Sequence, residues 1–208
     1  MHLAESRLGK GRGMETLLII CLGLGLSAAC GFRVFIPLLV VSIASISGHI
    51  TLSQGFEWIG TYPAFLAFAV AAVFEIAAYY IPWIDNLMDL IAGPAAVVAG
   101  ILVAASGMLH MDPLLRWSLA IIAGGGTAAL FHSSTAVARA ASTALTGGIG
   151  NHAVATAELG IASVLSILAI TLPLLSVIVA VALLLFLTRK GFRKLVKPRK
   201  TENASSKT

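Results

Sequence analysis

One arginine constrains this chain more than any other residue. Arg33 sits inside an apolar run from Leu17 to Ile46. A bilayer core about 30 Å thick is crossed by about 20 helical residues. The run is longer than that, so it must bend, break or fold back, and its charge lies near the break. Gly31 and Pro37 flank the position. Glycine weakens a helix and proline removes one of its hydrogen bonds. In hydrocarbon the freed backbone groups need protein or water partners, so the segment reads as a broken helix or a re-entrant hairpin facing the protein interior. A charge there marks a functional site by default.

Composition sets the class. The chain is 58% hydrophobic and only 11% charged, against about 25% charged in soluble domains. Several apolar stretches reach spanning length, which makes this an integral membrane protein and leaves no room for a second soluble domain. Seven of the fourteen Lys/Arg fall between Arg189 and Lys200, and Arg7, Lys10 and Arg12 precede the first span. The basic tail reads as an orientation signal that keeps it cytoplasmic, with attraction to anionic lipids following from the same charges. No aromatic pattern for nucleic acid accompanies it. Ser27-Ala28-Ala29-Cys30 resembles a lipoprotein cleavage site only faintly, because apolar sequence resumes at once. Cys21 and Cys30 point to different helix faces, which argues against a disulfide or a metal pair.

The pattern predicts an all-α polytopic bundle of about six spans. Residues 1–13 read as a polar, disordered arm, 14–188 as the transmembrane domain and 189–208 as a basic cytoplasmic tail. The halves divide at about 14–110 and 114–188. Element one carries Arg33. Element two, Pro63–Ile81, carries Glu75, with Tyr79, Tyr80 and Trp83 as interfacial anchors. A short amphipathic turn, Ile84–Ile91, follows. Element three is Ala92–Leu109, and element four runs from Leu114 to about Leu130 through Gly124-Gly-Gly126. A semi-polar stretch with His132 and Arg139 leads to the breaker Thr146-Gly-Gly-Ile-Gly-Asn151. The last apolar run holds Glu158 and splits near Pro173. Each half thus opens with a small-residue element bearing one arginine and continues with a span bearing one glutamate. Three spans per half describe inverted repeats, a recurring transporter design with its site near the midplane. Six crossings put both basic termini on the cytoplasmic side of the cell membrane.

Four residues therefore form the expected site for a substrate or ion: Arg33 paired with Glu75, and Arg139 paired with Glu158. A secondary set comprises Asp85, Asp89, His132 and Asn151. Asp85 and Asp89 share a helical face and, with Asn86, offer the oxygen ligands that Mg²⁺ or Ca²⁺ prefer. A solvated interfacial turn is the better reading of them. Ser133, Ser134 and Thr135 read as helix-packing groups. No hydrolase, protease or phosphate-loop motif occurs, and nothing calls for a cofactor. The small-residue faces at Gly93–Gly100 and Gly124–Gly126 fit packing within one subunit or in a homo-oligomer.

Three blocks carry a family resemblance. Gly25-x-x-Ala28-x-x-Gly31-Phe32-Arg33-x-Phe35-Ile36-Pro37-Leu38 is the first. Glu75 followed by Ile81-Pro-Trp-Ile-Asp85 and Asp89 is the second, and Thr146-Gly-Gly-Ile-Gly-Asn151 followed by Glu158 the third. Together they resemble a bacterial integral membrane family, number 4126 of the domain-of-unknown-function series. Trp83 replaces a glycine of that pattern and Glu158 stands alone where an acidic pair is common. The resemblance implies fold and membrane class and brings no activity. The leading expectation is a transporter or channel for a small solute, ion or lipid head group. The alternatives are a non-transporting scaffold or partner subunit and, third, a lipid-modifying enzyme.

Overall fold

The computed structural model describes the backbone of residues 2–109 and 111–195. Side chains are described from 13 to 189, apart from 82, 83, 85, 86, 89 and 110. Among the described residues every regular element is helical. Eight α-helices follow in order: α1 (His2–Phe32), α2 (Phe35–Ile46), α3 (Tyr62–Ala78), α4 (Pro82–Gly107), α5 (Pro113–Leu119), α6 (Gly126–Thr146), α7 (Asn151–Thr171) and α8 (Pro173–Leu195). A 3₁₀ turn, Glu57–Gly60, precedes α3, and a π-helical turn, Ala120–Gly125, joins α5 to α6. Four segments are long and apolar enough to cross a membrane: Gly13–Phe32, Leu90–Gly107, Pro113–Thr146 and Asn151–Thr171. Phe35–Ile46, Tyr62–Ala78 and Pro173–Arg189 are shorter and also apolar.

α1 is the hub, packed against α4, α6, α7 and α8. It runs antiparallel to α4. The Ser27 hydroxyl donates to the Gly100 carbonyl at 2.8 Å, Gly23 faces Ala104, and Leu22 faces Gly107. The crossing of α4 with the π turn needs glycine on both sides. A Cβ on Gly124 would lie 2.8 Å from the Gly100 carbonyl oxygen, and one on Gly100 would lie 2.6 Å from the Ala128 Cβ. These small-residue faces therefore pack within the subunit.

The break in the first apolar run is a reversal at Arg33–Val34. Ser53 ties the loop after α2 to the last turn of α4, its amide donating to Ser106 at 2.8 Å and its hydroxyl to Ala105 at 2.9 Å. Those residues lie level with Leu22 of α1. So α2 starts beside Arg33 and returns towards the end from which α1 came. Pro37 is not the cause. It lies in the first turn of α2, where a helix has no intrahelical partner for the missing N–H.

The remaining boundaries follow local chemistry. Thr61 caps α3 and Asp112 caps α5, each accepting a backbone N–H. Gly147 at φ +64° ends α6, in the left-handed region where a side chain is strained. Leu172 separates α7 from α8 one residue before Pro173, as the proline predicts. Three readings change. The stretch Ile84–Ile91 is not a separate turn: α4 begins at Pro82, which suits the first helical position. The semi-polar stretch after Leu130 continues the helix that starts at Pro113, because the π turn absorbs the three glycines without breaking it. α1 also extends back to His2, through the residues expected to form a polar arm.

Alternation of helix direction continues through α7, which descends from Glu158 beside Arg33 to Ala169 beside Gly25, and α8, which rises again from Ser176 beside Gly25. The start of α1 and the end of α8 therefore lie at opposite ends of the bundle. The basic tail beyond Arg189 lies outside the residues with described side chains.

Candidate functional site

The four charged residues singled out in the spans meet in one buried cluster at the tip of the α1–α2 hairpin. Arg33 is 1% exposed and Glu158 and Arg139 are each 3% exposed. Arg139 pairs with Glu158 as expected, but the partner of Arg33 differs from expectation. Among the described residues Arg33 forms its ion pair with Glu158, at 3.8 Å, rather than with Glu75. Its Nη2 also donates to the Ala155 carbonyl of α7 at 2.9 Å. Arg139 meets Glu158 through both carboxylate oxygens, Nε donating to Oε1 at 3.1 Å and Nη2 pairing with Oε2. Glu158 thus serves two guanidinium groups.

Glu75 does different work. The Val34 amide donates to its Oε1 at 2.8 Å and the Phe35 amide to its Oε2 at 3.1 Å. A helix start leaves its first N–H groups without partners, and Glu75 reaches across from α3 to supply two of them. Its negative charge also suits the positive end of the α2 dipole, while Arg33 suits the negative end of α1. The reversal is stable in an apolar setting because each abutting helix end holds the opposite charge.

Tyr79 is the residue that the sequence reading misplaced. It is 4% exposed, not an interfacial anchor. Its ring contacts both arginines, with the Arg33 and Arg139 guanidinium carbons 3.9 and 4.0 Å from the centroid. Both cations are attracted to the same π-system. A signal was present: Tyr79 follows Glu75 by four residues, so the two share a helical face.

The cluster balances two arginines with two glutamates, but it does not engage every donor. Arg33 Nε and Nη1 are buried and have no hydrogen-bond partner among the described residues. A buried donor without a partner costs about 1–3 kcal/mol. Such groups occur where a ligand or water completes the site.

The secondary residues are placed less centrally. His132 on α6 faces Gly93 of α4, its ring atoms 3.3 Å from the position of a Cβ there. Asn151 opens α7 and its amide nitrogen donates to Thr143 at 2.9 Å. Asp85 and Asp89 lie in the first turns of α4, and their side chains fall outside the described residues. Among the described residues no three metal-ligating side chains come together.

Helical segments of spanning length and apolar composition, around a buried set of paired charges, define the class: a helical membrane protein. The chain belongs to the family described as a domain of unknown function (DUF4126), whose family model matches residues 20–192. No curated protein and no solved structure matches it.

Proposed function

We propose that the chain moves a small solute or ion across the membrane through the cluster of Arg33, Glu75, Arg139 and Glu158. One observation carries the reading: a fully buried guanidinium keeps two nitrogens unpartnered where every other charge of the cluster is engaged. A cluster that served packing alone would gain stability by closing those bonds or by replacing the charges with apolar groups. The setting supports the same reading. Interrupted helices with charged tips inside the bundle are the usual way a transporter presents backbone dipoles to a solute.

In this reading α1 and α2 form a hairpin that enters from one face and stops at the cluster. α3, α4, α5–α6, α7 and α8 cross. This replaces six spans with five crossings and a hairpin, and the two halves are not simple inverted copies. The heavier basic charge at the C-terminal end sets that end in the cytoplasm and draws anionic lipid to it. Glu158 lies seven residues into α7, so the cluster sits about 10 Å below that face.

Flux assays in proteoliposomes test the proposal. Wild-type protein should pass at least one small ion or solute that Arg33→Gln, folded and inserted to the same extent, does not. Equal flux in both overturns it. A scaffold is the second reading, favoured by the complete engagement of both glutamates. It predicts that Arg33→Gln changes only thermal stability.

A further inference from the structure

Resting on that reading, we propose that Glu75 is a built-in competitor for the substrate, and that the substrate's binding group is a carboxylate. In the closed arrangement the Glu75 carboxylate lies across two successive amides, one oxygen on each, at 2.8 and 3.1 Å. A planar group with two acceptor oxygens at that spacing fits the tip of α2. Beside it Arg33, itself the residue before those amides, holds buried donors without partners. The amides and the guanidinium make a carboxylate site whose occupant is at present part of the chain.

Displacement has a charge consequence. Arg33 at the reversal between α1 and α2, Arg139 on α6 and Glu158 on α7 surround the site, with Tyr79 just past the end of α3 and the Cys30 thiol on α1 also close. Two cations face two anions. A second carboxylate entering beside an ionised Glu75 leaves one buried negative charge uncompensated, which is costly. Neutrality returns when Glu75 leaves the amides and takes one proton from water, forming an O–H bond on a carboxylate oxygen. Each carboxylate then enters with one proton, and the exchange is electroneutral. Glu75 is the residue that couples the two.

The source of the carboxylate is either a small water-soluble acid or the head of a fatty acid, and acetate and octanoate separate them. Full-length protein in nanodiscs is titrated with each by calorimetry in two buffers of different ionisation enthalpy. The expected result is uptake of about one proton per bound carboxylate. Where Glu75 is ionised, apparent affinity rises about tenfold for each unit fall in pH, because the bound state holds the extra proton. Glu75→Gln, neutral at every pH, should bind with no proton uptake and a flat pH profile. Binding of acetate identifies a soluble acid, and binding of octanoate alone identifies a lipid-borne one. The proposal is overturned by absence of binding for both probes, by binding without proton uptake in the wild type, or by undiminished uptake in Glu75→Gln. If that variant does not fold, the wild type decides: acetate must produce the infrared C=O band of a newly protonated carboxyl group, and no band means no coupling. Carboxylate binding with proton uptake but no flux would sink the transport reading alone. Flux of another ion without carboxylate binding would sink this inference alone.

Discussion

Arg33 and Arg139 are equally buried and lie at nearly the same distance from one tyrosine ring, yet they are held in different ways. Arg139 stands inside a continuous helix and meets a carboxylate through two donors. Arg33 stands where a helix stops, receives support from a carbonyl of α7 and from the end of α1, and shares the same carboxylate at longer range. The first arrangement is a closed ion pair. The second is open, because the backbone dipoles at the reversal do part of the work that a dedicated counter-ion would do. Burial of a charge alone therefore says little about role. The number of its donors left without a partner is what distinguishes the two arginines.

The comparison can be broken most forcefully at Glu158. Glu158→Gln removes the carboxylate that both arginines use, and should cost about 3–5 kcal/mol, as loss of one partner of a buried pair does. Thermal unfolding in detergent should show it as the most damaging change in the cluster. If it costs no more than changes at Glu75, the two arginines do not depend on a shared anion. Glu75→Ala comes next, at about 2 kcal/mol, from two amides left unmade at the reversal. Amide hydrogen exchange should quicken at Val34 and Phe35 while Arg139 and its helix stay protected. Uniform loss of protection would mean that the hairpin tip is not a separate unit. Pro37→Ala should do least, about 1 kcal/mol from a few buried carbons. A cysteine pair bridging α1 and α2 should still cross-link in that variant. Failure to do so would restore proline as the cause of the turn.

Charged residues in apolar helices are rare enough that the sequence isolated Arg33, Glu75, Arg139 and Glu158 without any structure. The membrane class and the break near Gly31–Pro37 were legible for the same reason. The Arg139–Glu158 pair was legible too, but the partner of Arg33 was not. Order along the chain pairs Arg33 with Glu75, but pairing depends on which helices touch, and α7 lies closer to Arg33 than sequence proximity suggests. The sense of the break was also hidden, because glycine and proline mark where a helix is weak without saying whether the chain kinks or returns. Tyr79 was read by its neighbours, Tyr80 and Trp83, instead of by its helical phase with Glu75. The three glycines at 124–126 predicted close approach correctly, yet they lie in a π turn within a continuous helix.

The hub position of α1 has a consequence for how the protein is made. Its arginine emerges from the ribosome long before α7, which carries the carboxylate that compensates it. Until Glu158 arrives, Arg33 can rely only on Glu75 and on the helix ends of its own hairpin. Truncation before α7 should therefore leave Arg33 without the Glu158 carboxylate it pairs with in the complete bundle.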